Sequence, residues 1–171
     1  MMMQASGSFE VQITPQAHDQ AEGSALGRMA IDKQFLGDIV GIGKGEMLTA
    51  GTDAGSAVYV AIERVTGTLH GRAGTFVLLH NGAMTRDSQH LTITVVPDSG
   101  TGQLVGLSGS LVINIVDGKH LYEFEYSLAS DASLSNLQRV PTVFVSRSDP
   151  CLFSYEPWPC PRRLRAPTNR A

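Results

Sequence analysis

From Met1 to Leu128 the chain runs as β-branched and aromatic stretches broken by turn residues, and no window sustains an apolar period of 3.6 residues with helix caps. Such a pattern builds sheet. All 18 glycines fall in this part, whereas six of the eight prolines (Pro141, Pro150, Pro157, Pro159, Pro161, Pro167) lie beyond it. We therefore place a boundary near Leu128: residues 1–128 form a β-barrel domain, and residues 129–171 form a Pro/Arg-containing tail expected to be disordered or loosely packed. The alternation predicts eight strands, at about 4–14, 24–36, 38–50, 57–69, 73–84, 89–97, 108–117 and 119–128. Phe9, Val11 and Ile13 share one face of the first, and Leu91, Ile93 and Val95 share one face of the sixth. Most connections are too short for the crossovers of about a dozen residues that parallel neighbours need. The fold class predicted is all-β: an eight-stranded antiparallel up-and-down barrel with an irregular C-terminal tail. The interior of such a barrel is just wide enough to be filled by side chains or to hold one small ligand.

Composition supports one such domain with a sizeable core, since 42% of the 171 residues are hydrophobic and 17% are charged. No run approaches the roughly 18 apolar residues of a membrane span. The N-terminus lacks the charged and apolar regions of a signal peptide, so a cytoplasmic location and no membrane partner are expected. Six arginines after Leu128 against Asp131, Asp149 and Glu156 give that part a net +3 and leave −6 on residues 1–128. An acidic barrel is a poor partner for nucleic acid, and the cluster Arg162, Arg163, Arg165 is too short to argue otherwise. Cys151 and Cys160 have no zinc-type spacing with nearby histidines; an oxidising setting would allow them to bridge, and otherwise they are expected as thiols.

Two hairpins position the candidate site. Asp117-Gly118 is a strong type I′ signal, which pairs Ile115 with His120, Ile113 with Tyr122, Leu111 with Phe124 and Gly109 with Tyr126. If Gly71-Arg72 forms a type II′ turn, Val65 faces Leu78 and Glu63 faces His80 directly, in the middle of an apolar wall. A carboxylate opposite an imidazole fixes the ring's tautomer, so Glu63 and His80 are the candidate acid/base pair. The competing reading is a buried structural pair, because buried charges need partners whatever the function. Tyr59, Phe76, Leu78, Tyr122, Phe124 and Tyr126 share the same inner face and are the candidate ligand-binding residues; tyrosines there also serve simply to fill space and bond a carbonyl. Across Gly37-Asp38 the same counting turns Val40, Ile42, Lys44 and Glu46 inward. Gly41, Gly43 and Gly45, at every second position, clear one face for tight curvature or for another group's close approach.

Other motifs carry less. Asp98-Ser99-Gly100-Thr101-Gly102 lacks the Gly-Lys-Ser/Thr ending of a phosphate loop, and the glycines from Gly41 to Gly45 are not followed by the helix of a dinucleotide site. The five histidines (His18, His70, His80, His90, His120) show no converging ligand spacing, and no nucleophile elbow is present. No cofactor or metal is called for.

The segments 37–43 (GDIVGIG), 59–80 (YVAIERVTGTLHGRAGTFVLLH) and 95–109 (VVPDSGTGQLVGLSG), with 122–128 (YEFEYSL) as closing strand, resemble an uncharacterised bacterial domain-of-unknown-function family of small barrels with an allene oxide cyclase-like fold. The resemblance covers roughly residues 3–128 and implies an eight-stranded antiparallel barrel, often a homo-oligomer. It supplies no function. Wider relatives of that fold include plant allene oxide cyclases and bacterial cyclases, which enclose a flexible apolar substrate; by fold analogy alone this suggests a cofactor-independent isomerase or cyclase acting on a small apolar ligand. The alternative is a non-catalytic ligand-binding or oligomeric scaffold barrel with a structural Glu63/His80 pair.

Overall fold

A computed structural model describes residues 1–129. Eight strands, β1 (Met3–Ala21), β2 (Ser24–Gly37), β3 (Ile39–Thr52), β4 (Ala57–Leu69), β5 (Arg72–Met84), β6 (Gln89–Val95), β7 (Leu107–Val116) and β8 (Lys119–Leu128), close in chain order into an antiparallel barrel. The architecture expected from the alternation is therefore the one observed. Among the described residues the only helical turn is a three-residue 3₁₀ segment, Gly102–Leu104. The tail expectation, with Cys151, Cys160 and Trp158, lies outside the described residues.

The elements differ from expectation where a turn is tighter than it reads. Residues 15–23, expected as a loop, continue β1 to Ala21 and turn at Glu22 and Gly23, the glycine at φ +80°. Pairing of β1 with β8 ends at Phe9–His120, so the distal half of β1 is hydrogen-bonded only to β2. Pro15 and the register shift between Pro15 and Ala17 fall there, on an edge, where a missing N–H costs least.

Register decides which side chains enter the barrel. The Asp117-Gly118 hairpin has the pairing read from its turn, Ile115–His120 through Gly109–Tyr126. The β2–β3 connection does not: Phe35 pairs with Gly41, one residue away from the expected register. A one-residue slip exchanges the faces of a strand, so Val40, Ile42, Lys44 and Glu46 point outward and Ile39 with Gly41, Gly43 and Gly45 points inward. The bend around Asp38 follows from its docking on β1, where its backbone N–H donates to the Ser6 carbonyl and its Oδ2 accepts the Ser6 N–H at 2.8 Å.

The barrel is filled at one end only. Phe35, Ile39, Leu69, Phe76, Leu78, Tyr122, Phe124 and Tyr126 are fully buried, and Leu104 from the 3₁₀ turn closes this end from outside the sheet. The connection carrying Leu104 also supplies the edge of β5 that β6 leaves uncovered. Thr101 Oγ1 accepts the Thr75 N–H, Ser99 Oγ accepts the Val77 N–H and Gln103 Oε1 accepts the Ala73 N–H. The polar groups of this glycine-rich loop are thus bonded to sheet backbone.

Candidate functional site

The β4–β5 turn centres on His70 and Gly71, at φ +46° and +77°, so Leu69 pairs with Arg72 and Glu63 with Leu78. Direct opposition of Glu63 and His80 is therefore corrected: His80 faces Ala61, one diagonal step from Glu63. The signal was masked by His70, an uncommon residue at positive φ, whose Nδ1 is held 2.7 Å from the Tyr126 hydroxyl. A slip of two residues keeps faces unchanged, so both side chains still enter the barrel. His80 Nε2 lies 3.0 Å from Glu63 Oε2, set off the N–H axis, which makes the contact electrostatic more than a linear hydrogen bond.

The same oxygen also receives a cation. Lys33 Nζ of β2 donates to Glu63 Oε2 at 2.6 Å, and Lys33 is buried with its ammonium over the Phe9 ring, 4.8 Å from the centroid. Strand β3 lies between β2 and β4, yet Lys33 and Glu63 touch across it because β3 carries Gly43 opposite Lys33 and Gly45 opposite Glu63. A Cβ on Gly43 would overlap Glu63 Oε1 and come within 3.0 Å of Phe35 Cε2. The glycine series thus makes room for a buried carboxylate. We expect Gly43→Ala to destabilise the fold by about 1–3 kcal/mol, as overpacking does, in urea unfolding.

Lys33 did not emerge as a site residue from the sequence reading, although a signal existed: it shares strand parity with Ile31 and Phe35, a lone charge on an apolar face. Once β2 is in register, that parity places it inside.

Glu63 has no exposed surface, and Oε1 meets no hydrogen-bond donor among the described residues. Burial alone pushes its carboxyl up, but the His80 contact and the Lys33 charge and hydrogen bond outweigh burial and hold it below the ordinary 4.5. A carboxylate depressed in the folded state adds stability that is complete above about pH 4.5 and is lost as pH falls through the folded-state value. Acid titration of unfolding free energy should show this loss in the wild type, and Glu63→Gln should flatten it.

Above this cluster the interior is open. A cavity of about 370 Å³ reaches Lys33, Ala61 and His80 from the barrel mouth and is walled chiefly by apolar side chains, among them Val11, Ile31, Leu91 and Ile113. His120 and Tyr59 add polar groups to the wall; the Tyr59 ring lies across Gly82 of β5, and burial pushes its phenol up, which keeps the hydroxyl a donor. Of the residues proposed from sequence, His80 and Tyr59 line this cavity, and Glu63 stands behind the wall. Phe76, Leu78, Tyr122, Phe124 and Tyr126 lie in the packed half, where Phe76 and Phe124 stack at 5.9 Å and Tyr122 accepts the Ile39 N–H at 2.7 Å. A hollow of about 490 Å³ on the outer wall, lined chiefly by outward-pointing side chains such as Gln4, Ser6, Val112 and Glu123, lies away from the charged cluster.

The molecule is thus a small eight-stranded β-barrel, packed at one end and hollow at the other, with a Lys–Glu–His cluster at the junction. Residues 5–126 match the family described as a protein of unknown function, DUF3224, and the chain belongs to that family. It is similar to a solved structure of a DUF3224 family protein of unknown function from Shewanella oneidensis MR-1, with 46% sequence identity and a TM-score of 0.71, the alignment covering 76% of this chain and all of that one. No curated protein matches. Among the described residues no helix is long and apolar enough to cross a membrane.

Proposed function

We propose that this chain is a cytoplasmic small-molecule-binding barrel that takes one largely apolar ligand into its open half and isomerises or cyclises it without a cofactor, with Glu63 and His80 as the acid/base pair. The observation that carries the reading is the cavity of about 370 Å³ ending on Lys33 and His80: an apolar chamber with a few convergent polar groups is the usual form of a ligand site. In this reading Glu63 orients His80 and balances its charge from behind the wall.

The second reading, a non-catalytic binding or scaffold barrel, draws on the complete burial of Glu63 and its pairing with Lys33. Glu63→Gln and His80→Ala separate the two. Retained ligand with lost turnover supports chemistry; lost folding supports a structural pair.

We further propose that the barrel assembles with copies of itself. Outward-facing Leu48, Val60, Ile62 and Leu79 form neighbouring pairs across β3, β4 and β5 and are exposed, with Val60 at 48% and Ile62 at 53%. Sedimentation should give a mass above the 18.3 kDa of one chain, and Val60→Glu should lower it.

A further inference from the structure

The cluster at the cavity floor has a polarity that narrows the ligand class. Glu63 Oε2 accepts one Lys33 N–H, leaving two ammonium N–H groups on a side chain that lines the cavity. Glu63 Oε2 lies 3.0 Å from His80 Nε2, and its charge favours the tautomer with the ring proton on Nε2 and the lone pair on Nδ1, to which no group among the described residues hydrogen-bonds. Because ammonium and imidazole lean on one oxygen, they lie within reach of one small molecule. A donor for an oxygen and a base for a carbon-bound proton are therefore side by side under an apolar chamber.

We propose that the ligand is an apolar carbonyl compound and that the site enolises it. His80 Nδ1 removes the proton from the carbon next to the carbonyl. The C–H electron pair becomes the C=C bond, the carbonyl π pair moves onto oxygen, and a Lys33 N–H bonds the resulting oxyanion. The imidazolium formed faces Glu63, which offsets its charge. Return of the proton from Nδ1 to the same or a conjugated carbon completes an isomerisation with no net oxidation or reduction.

This proposal rests on the reading of the cavity as a ligand site, and the test separates the two. The full chain is titrated with 2-tetralone and with the hydrocarbon tetralin, and α-proton exchange of the ketone is followed by NMR in D₂O. Wild type should bind the ketone more tightly than the hydrocarbon and accelerate exchange saturably. His80→Gln, or His80→Phe should the first variant not fold, should retain binding and lose about 10²-fold or more of the exchange rate. Lys33→Met with Glu63→Leu, which removes both charges together, should abolish the preference for ketone over hydrocarbon. Binding with exchange at the buffer rate, or exchange that survives in the folded His80 variant, overturns enolisation and leaves ligand binding standing. If neither compound binds, both readings fall.

Discussion

Replacing Glu63 by Leu should cost about 3–5 kcal/mol of folding stability, because it leaves the Lys33 ammonium buried with no counter-charge. Lys33→Met should cost a similar amount, since it leaves Glu63 with His80 alone and an Oε1 that already lacks a donor. The double substitution should be milder than either single one: two apolar side chains of similar volume need no desolvated charge, and Phe9 and Phe35 already line the space around Nζ. Urea unfolding of the four proteins forms a double-mutant cycle, and the expected coupling is large because the groups are in contact. Additive losses would mean that the two charges do not depend on each other.

Phe124→Ala should also cost about 3–5 kcal/mol, whereas Leu91→Ala should cost about 1 kcal/mol. Both are apolar residues on the inner face, so the contrast tests the division of the barrel into halves. Phe124 is sealed between Phe76 and Tyr126, with ring centroids at 5.9 and 5.2 Å, and truncation there opens a void that neighbours in a closed sheet fill poorly. Leu91 is only partly buried and borders space that is already open, so its loss enlarges the chamber without a new sealed void. Equal losses, read by the same unfolding assay, would mean that the chamber closes in solution.

Much of this was legible from the residues. Alternation in runs such as Phe9–Ile13 and Leu91–Val95 is a strand signature that does not depend on distant contacts, and Asp117-Gly118 announces its own turn type, so the closing hairpin could be registered by counting. Where turn chemistry is less distinctive, counting failed. His70 occupies a positive-φ position next to a Gly-Xaa pair that is the stronger turn signal, and the bend at Asp38 depends on Ser6, more than thirty residues away. The β4–β5 register differs from the turn-based one by two residues, which keeps Glu63 and His80 inside; the β2–β3 register differs by one, which exchanges the faces of β3 and turns its glycines inward. Lys33 was missed for a related reason: its contact with Glu63 spans three strands and becomes visible only when Gly43 and Gly45 are known to face inward.

A backbone-amide NMR titration of the full chain with 2-tetralone shows directly whether the open half is a ligand site ending on Lys33 and His80. Saturable shifts are expected at Lys33, Ala61, His80 and Leu91, with Phe76, Leu104 and Phe124 in the packed half unchanged. Shifts absent at the cavity, or confined to the outer wall near Gln4 and Glu123, would contradict a ligand site there.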